Sequence, residues 1–271
     1  MVSRTTVHRP DPDAAAEMFA QLALDAGAAI MRIYQQGARV RLKADASPVS
    51  DADEAAEAII LAGLARAMPG VPVVAEESVA KGQTPAAGEV FVLVDPLDGT
   101  REFLDRNGEF TVNIALIAHG APVAGAVYAP ALGRLWTGGR EARAAKVAPG
   151  AVLPPPAARK PIRARPAPAR LTALASRSHR DPQTDAFLAR LPIAESVTAG
   201  SSLKFCRIAE GLADVYPRFG PTMEWDIAAG DAVLRAAGGV VVDAAGAPFV
   251  YGKPPFRNGP FVAWGDRKTR S

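Results

Sequence analysis

The chain has 271 residues, enough for one large domain or two small ones with a concave site between them. Hydrophobic residues make up 49% and charged residues 22%, which argues against a disordered or fibrous protein. The formal net charge of +3 favours anionic partners without requiring nucleic acid. The single cysteine, Cys206, excludes an internal disulfide and a thiolate metal cluster and indicates a reduced compartment.

The N-terminal residues indicate no export signal. They carry Arg4, Asp11, Asp13 and Glu17 and lack an apolar stretch followed by a small-residue cleavage site. No run reaches the roughly 18 consecutive apolar residues that a membrane span needs. We therefore predict a cytoplasmic protein without integral membrane association. Peripheral association with the inner membrane stays open.

Apolar periodicity in the first half predicts two helices followed by strands. The first helix covers 13–36, with Asp13 as N-cap and Gly37 as its end. The second starts near Asp51 and ends at the Pro69-Gly70 pair. Short apolar runs bounded by turn residues predict strands at 71–75, 90–94, 110–118 and 123–128.

Residues 134–170 form a basic tract with nine Lys or Arg residues, one acid and three consecutive prolines. Its one aromatic residue is Trp136, and it has no series of aromatic residues between the cations for base stacking, so we predict a solvated connector and no nucleic-acid partner. Beyond it, strand-like runs at 171–175 and 240–243 alternate with helix-like runs at 182–191, 202–212 and 226–237, which indicates an α/β protein. We predict two lobes, 1–150 and 151–271.

Acids concentrate where predicted strands end. Asp95 and Asp98 flank a proline-containing turn that also carries Thr100, so their oxygens can point into one small volume. Hard cations such as Mg2+ prefer such oxygen ligands. Asp-Pro and Asp-Gly pairs are also ordinary turn residues, and on this segment alone both interpretations stay open.

Further acids share this ambiguity. Glu76 and Glu77 directly follow a predicted strand and could either join a site or lie in a solvated loop. Asp226 opens a predicted helix, where it could be an N-cap, a metal ligand or both. Asp51 and Asp53 lie at the start of the second predicted helix, where the same two interpretations, helix cap and site residue, stay open.

Three segments together resemble a known superfamily. Residues 76–78 (EES), 95–100 (DPLDGT) and 225–230 (WDIAAG) resemble the metal-site motifs of the inositol monophosphatase and fructose-bisphosphatase superfamily. A finer resemblance, at 43–53, 100–117, 176–182 and 201–225, is to the bacterial 3'(2'),5'-bisphosphate nucleotidases of the CysQ type. The motifs occur in that family's order between 43 and 239. The resemblance implies a layered α-β-α-β-α sandwich with the metal-rich site between two lobes.

The resemblance also implies a Mg2+ centre of two or three ions. Its side-chain ligands would be Glu76, Asp95, Asp98 and Asp226, completed by the Leu97 carbonyl oxygen. Glu77 would orient these ligands as a neighbour.

The implied catalytic residues are Thr100, Glu76 and Asp53. Asp53 would pair with Thr100, and Thr100 and Glu76 would take a proton from a metal-bound water. That water would attack the phosphate without a phosphoenzyme.

The implied substrate contacts are Gly99, Thr100, Ser202, Lys204, Arg218 and His179. Arg218 stands where phosphatases that act on polyols are expected to carry an acid, and its planar guanidinium suits a second phosphate. Lys204 and the amides at the start of its predicted helix would add to that anion site. His179 would contact the base or the ribose, or have no substrate role.

These expectations favour hydrolysis of 3'-phosphoadenosine 5'-phosphate to AMP and phosphate, linked to sulfate assimilation. One rival is an inositol or other sugar monophosphatase on the same fold. Another is a non-catalytic nucleic-acid-binding protein that uses the basic tract. The sequence leaves the oligomeric state open, and a homodimer is compatible with the resemblance.

Overall fold

The computed structural model describes residues 10–42, 48–176 and 181–266 and has five layers. In order they are two long helices, a seven-stranded sheet, two further helices, a five-stranded sheet and one short helix. The predicted α-β-α-β-α sandwich is confirmed.

The larger sheet has the spatial order β3-β4-β5-β6-β7-β8-β9. Its strands are β3 (Val73–Ala75), β4 (Val90–Asp98), β5 (Thr111–Ala118), β6 (Ala121–Ala129), β7 (Arg134–Gly138), β8 (Ala142–Lys146) and β9 (Lys160–Pro161). Strand β3 runs parallel to β4, and each later pair is antiparallel. Successive side chains of β4 alternate between the two faces and are buried on both.

Helices α1 (Pro12–Gln36) and α2 (Asp51–Ala67) cover one face of this sheet. The predicted N-cap Asp13 is wrong, because Asp11 accepts the amides of Asp13 and Ala14 at 3.0 and 3.1 Å and Pro12 occupies the first helical position. By length and composition α1 could cross a membrane, at a mean hydropathy of 1.2, but 61% of that window is buried in the fold. The core helix of a layered protein has the same properties.

The middle layer holds α6 (Leu203–Ala209) and α7 (Glu224–Ala236). Helix α7 approaches the large sheet very closely. A Cβ atom added at Gly138 would lie 2.6 Å from Val233 Cα, so only glycine permits this approach. This packing holds α7 against the large sheet, and the first turn of α7, which carries Asp226, lies beside Asp95 of β4.

The smaller sheet has the order β11-β10-β12-β16-β14. Its strands are β10 (Leu171–Ser176), β11 (Ile193–Ala199), β12 (Val215–Arg218), β14 (Val240–Asp243) and β16 (Phe261–Trp264). Val241 packs towards the middle layer, whereas Val240 and Val242 join the cluster that includes Leu188 of α5 (Pro182–Leu188).

The remaining elements are short. Two ribbons pair β1 (Val40–Leu42) with β2 (Pro48–Ser50) and β13 (Thr222–Met223) with β15 (Arg257–Asn258). Helices α3 (Glu76–Ala80) and α4 (Thr100–Leu104) follow β3 and β4 directly. Both therefore begin at the edge where the predicted acids lie.

The basic tract 134–170 is not the solvated connector that we predicted. It contains β7, β8 and β9 and a single 3-10 turn at Pro156–Ala158. Five of its nine cations pair with acids, as Arg134–Glu210, Arg140–Asp11 and Asp13, Arg143–Glu141, Arg159–Glu17 and Arg165–Asp214. The large sheet thus reaches Pro161, and the division into lobes at residue 150 stays a prediction.

Candidate active site

Two predicted ligands meet because β3 and β4 are parallel neighbours. Ala75 pairs with Val94, the last pair between these strands, so Glu76 directly after β3 and Asp95 in the part of β4 that extends past β3 lie at the same edge. Asp95 is buried, and its Oδ1 accepts the Leu97 amide at 3.0 Å. Leu97 has its side chain in the core. The sequence order strand-then-acid therefore produces the expected convergence.

A break in the β4–β5 register changes the direction of Asp98. Asp95 pairs with Asn113 and Asp98 with Thr111, so two residues of β4 face one residue of β5, and β4 carries one extra residue at this point. The next residue, Gly99, has φ +91°, a conformation that favours glycine, and α4 begins after it. The Asp98 carboxylate accepts the Ser202 amide at 2.7 Å.

Asp226 lies in the first turn of α7. Its Oδ2 accepts the Met223 amide at 2.8 Å, so it occupies the third helical position of a capping arrangement and is not the N-cap itself. This bond does not involve Asp226 Oδ1. Asp226 can therefore cap the helix and bind a metal at the same time.

Glu76, Asp95 and Asp226 offer oxygen atoms that all lie within 4.8 Å of one another. Three carboxylates at this spacing match the donor set that Mg2+ prefers. Asp98 is not part of this cluster, but it lines the same cleft. The structure thus brings three of the four predicted side-chain ligands together and places the fourth beside them.

The pKa values in this cluster reflect crowded negative charge. Burial raises the pKa of Asp98 to about 6, and the Glu102 and Glu76 carboxylates add to this, while Lys204 and the Ser202 amide oppose it. Burial, together with Asp98 and Glu76, also raises the pKa of Asp226 well above its usual range. Because these folded-state pKa values are raised, the protein without a bound cation loses stability as the pH rises through about 6. A divalent cation would offset that repulsion, which supports the fit of Mg2+.

Asp53 lies behind the cluster at the start of α2. Its Oδ2 accepts the amide and hydroxyl of Ser50 at 2.8 and 2.7 Å, and its Oδ1 accepts the Thr100 hydroxyl at 3.4 Å. The structure therefore brings the predicted Asp53 and Thr100 pair together. The Thr100 hydroxyl lines the cleft, with its proton directed to a fixed carboxylate.

Sequence reasoning missed Glu57, which positions the start of α3. Its carboxylate accepts the Glu77 amide at 2.8 Å and the Ser78 hydroxyl at 2.7 Å. Glu57 follows Asp53 by four residues, and this spacing places both acids on one face of α2. Two acids with this spacing in an alanine-rich helix could have indicated that Glu57 lies on the same side of α2 as Asp53. Glu77 itself is buried beside them.

A cleft of about 240 Å³ opens over the acids. Two buried cations, Lys204 of α6 and Arg218 at the end of β12, line the same cleft. Burial lowers the pKa of Lys204 to about 8, against the opposing effect of Asp98. Lys204 Nζ donates to the carbonyls of Ala199 and Ser201 at 3.1 and 2.6 Å. Negative and positive groups thus line one space of small-molecule size.

Arg218 also holds the loop that follows β12. Its Nε donates to the Gly220 carbonyl at 3.3 Å and one Nη to the Pro221 carbonyl at 3.1 Å. These bonds fix the guanidinium plane at the cleft wall. Arg218 therefore has a structural contact as well as a position facing the cleft.

Ser202 differs from its predicted role in the anion site. Its amide donates to Asp98, and its hydroxyl contacts Asn113 Oδ1 at 2.7 Å and Thr111 Oγ1 at 2.8 Å. The amide at the start of α6 is thus already used by a carboxylate. His179 lies outside the described residues. Cleft residues that the sequence analysis did not single out include Glu102, Ser176 and Tyr216.

The family model for the inositol monophosphatase family matches residues 11–263 of this chain. The chain belongs to the inositol monophosphatase family. The predicted enzyme class, a phosphatase, is thereby confirmed. The match covers every described element that contributes to the cleft.

Named relatives agree with the finer resemblance. The chain is 47% identical over 234 residues to the 3'(2'),5'-bisphosphate nucleotidase CysQ of Escherichia coli O157:H7, covering 85% of this chain and 91% of that protein. It is also 42% identical to the 3'(2'),5'-bisphosphate nucleotidase CysQ of Buchnera aphidicola. That match covers 82% of this chain and 81% of the Buchnera protein. The crystal structure of CysQ from Bacteroides thetaiotaomicron superposes with a TM-score of 0.79 at 37% identity, covering 94% of this chain and 98% of that one.

Proposed function

We propose that this enzyme hydrolyses 3'-phosphoadenosine 5'-phosphate to AMP and inorganic phosphate. The observation that carries the proposal is the 47% identity, over most of both chains, to a relative named 3'(2'),5'-bisphosphate nucleotidase. The cleft supports it, because its lining combines acids with two buried cations. A bisphosphate needs both, because one phosphate reacts while the other is held.

The acidic side of the cleft would hold two or three Mg2+ ions. Glu76, Asp95 and Asp226 would bind them, joined by Asp98 and the Leu97 carbonyl oxygen. Bound Mg2+ supplies activation of water at neutral pH and neutralisation of charge on the phosphate. Every remaining step depends on side chains of the chain itself.

Thr100 and Glu76 would handle the proton of the attacking water. The Thr100 hydroxyl directs its own proton to Asp53, so its oxygen would accept a hydrogen bond from the water and orient it. Glu76 would take the proton from the water, and the oxygen of water would bond to phosphorus as the bond to the ribose 3' oxygen breaks. The ribose 3' oxygen would take up a proton from solvent and leave as the 3' hydroxyl of AMP, and Glu76 would release its proton to solvent. Gly99 would let the turn approach the phosphate without a side chain.

The cationic side would hold the 5'-phosphate. The buried guanidinium of Arg218 offers a planar set of donors, and the Lys204 ammonium adds charge behind it. Ser202 would act indirectly, because it orients Asp98. The role of His179 near the base stays a proposal. An acid at position 218 would instead suit a polyol, which makes a sugar monophosphatase the second candidate.

The setting proposed for this activity is clearance of nucleotide bisphosphate during sulfate assimilation in the cytoplasm. A homodimer is part of the proposal, and no integral membrane association is expected. Among the described residues, five cations of the basic tract form ion pairs with acids, which weakens the nucleic-acid-binding alternative.

Hydrolysis is expected to need millimolar Mg2+, to stop on EDTA treatment and to be suppressed by Li+. The physical reason is that three carboxylates crowded within 4.8 Å need divalent charge before an anionic phosphate can approach. The measurement is phosphate release from the nucleotide in each condition, followed by Mg2+ addition to reverse the EDTA effect. Full activity in EDTA would contradict the metal mechanism.

A further inference from the structure

A second cavity, which we call the basic groove, shares no lining residue with the acidic cleft. Its volume is about 570 Å³. It lies between strands β7 to β9 and the residues that follow α6. The residues that line it are Arg134, Ala144, Ala145, Lys146, Lys160, Pro161, Ile162, Arg163, Glu210 and Leu212. Four are cations and one is an acid.

The strand register brings like charges together in this groove. Arg134 of β7 lies directly opposite Lys146 of β8, and Lys160 of β9 lies opposite Ala144, two residues away. Directly opposed like charges destabilise a sheet, so this arrangement does not contribute to the stability of the fold. Glu210 pairs with Arg134 and so offsets only part of the charge.

The other three cations lack this compensation. Among the residues that the structure describes, none of Lys146, Lys160 and Arg163 forms an ion pair with an acid. Of the five cations elsewhere in the basic tract, four pair with acids, as Arg140 does with Asp11 and Asp13. The fifth, Arg170, donates to the Ile193 carbonyl. Three of the four cations of the tract without an acidic partner among the described residues therefore lie in the groove.

We infer that the basic groove binds a small anion that carries two or more phosphate groups. Its volume lies within the range of small-molecule sites. Cations from three strands and the following segment surround the space, which suits several phosphate groups rather than one. The exposed Leu212 side chain offers an apolar contact at the rim. No aromatic residue lines the groove, so it lacks the stacking platform of a single-stranded nucleic-acid site.

Protection of lysines from acylation tests this inference on the full chain. The probe is inorganic tripolyphosphate, and mass spectrometry reads the labelling rate of each lysine. At a concentration ten times the dissociation constant, labelling of Lys146 and Lys160 should slow by about 10-fold, because occupancy then reaches about nine tenths. Lys81, an exposed lysine paired with Glu54 at 3.0 Å, is the control and should label at an unchanged rate.

A charge-reversed variant separates the groove from the cleft. Lys146→Glu with Lys160→Glu should lower the number of tripolyphosphate sites measured by calorimetry by one, whereas Lys81→Glu should leave that number unchanged. Phosphate release from the nucleotide in Mg2+ should stay unchanged in both variants. The groove inference can therefore fail while the proposed function holds, and the proposed function can fail while the groove inference holds. Circular dichroism checks that both variants fold.

Three results would each overturn the inference. The first is no protection of Lys146 and Lys160, and the second is equal protection of Lys81. The third is protection by a single-stranded oligonucleotide but not by tripolyphosphate, which would make the groove a nucleic-acid surface.

Discussion

Replacing Asp95 or Asp226 by Asn is expected to lower kcat by at least ~100-fold, because each change removes a charge that would hold the metal at the reacting phosphate. Both acids belong to the cluster whose oxygens lie within 4.8 Å. Steady-state phosphate release at saturating substrate and Mg2+ gives the kcat values.

These variants should fold normally. The Asp95 carboxylate accepts the Leu97 amide, and the Asp226 carboxylate accepts the Met223 amide. An Asn side-chain oxygen can accept both bonds. Asp51→Asn is the matched control, since Asp51 accepts the Arg39 amide away from the cleft, and it should retain nearly full activity. Near-normal kcat in folded Asp95 and Asp226 variants would mean that these acids have only structural roles.

Arg218→Ala should lower kcat/KM for the bisphosphate by roughly 10- to 150-fold, since a charge-assisted hydrogen bond contributes about 1.5 to 3 kcal/mol. Slow hydrolysis of a monophosphate that lacks the held group should change little. The measurement is kcat/KM on both substrates with the same enzyme preparations. A selective loss is expected because the proposed role of Arg218 is to hold the phosphate that is not cleaved.

Two further variants separate charge from loop support. Arg218 also donates to the Gly220 and Pro221 carbonyls, and Arg218→Gln keeps a donor there while it removes the charge. The Gln variant should lose as much bisphosphate activity as the Ala variant. Arg218→Glu places an acid of the polyol-binding kind and should shift preference towards inositol phosphates. Equal losses on both substrates would mean that Arg218 only supports the loop.

Residues close in sequence could be predicted from the sequence because local rules govern them. Glu76 and Asp95 each follow a hydrophobic run, so the sequence indicated that each acid lies near a strand end, but it left open whether Glu76 joins a site. The parallel pairing of β3 with β4 brings the two acids together. The N-cap of α1 was misassigned although the sequence held the signal: a proline after Asp11 marks the first helical position.

Contacts between distant segments could not be read from the chain. The Ser202 amide is 104 residues from the Asp98 carboxylate that it binds, and nothing in either segment specifies the other. Strands β7 and β8 were missed because cations and alanines weaken the alternation that marks a strand. Their pairing, which creates the basic groove, depends on the register of the whole sheet.

The most direct test of the proposed activity compares two substrates in Mg2+ at equal concentration. Phosphate release and chromatography of the products are measured for 3'-phosphoadenosine 5'-phosphate and for inositol 1-phosphate. We predict a kcat/KM at least ~10-fold higher for the nucleotide, in line with the charge-assisted contact at Arg218, with AMP as the nucleotide product. A higher kcat/KM for inositol 1-phosphate, or adenosine 3'-phosphate as the product, would contradict the proposed function.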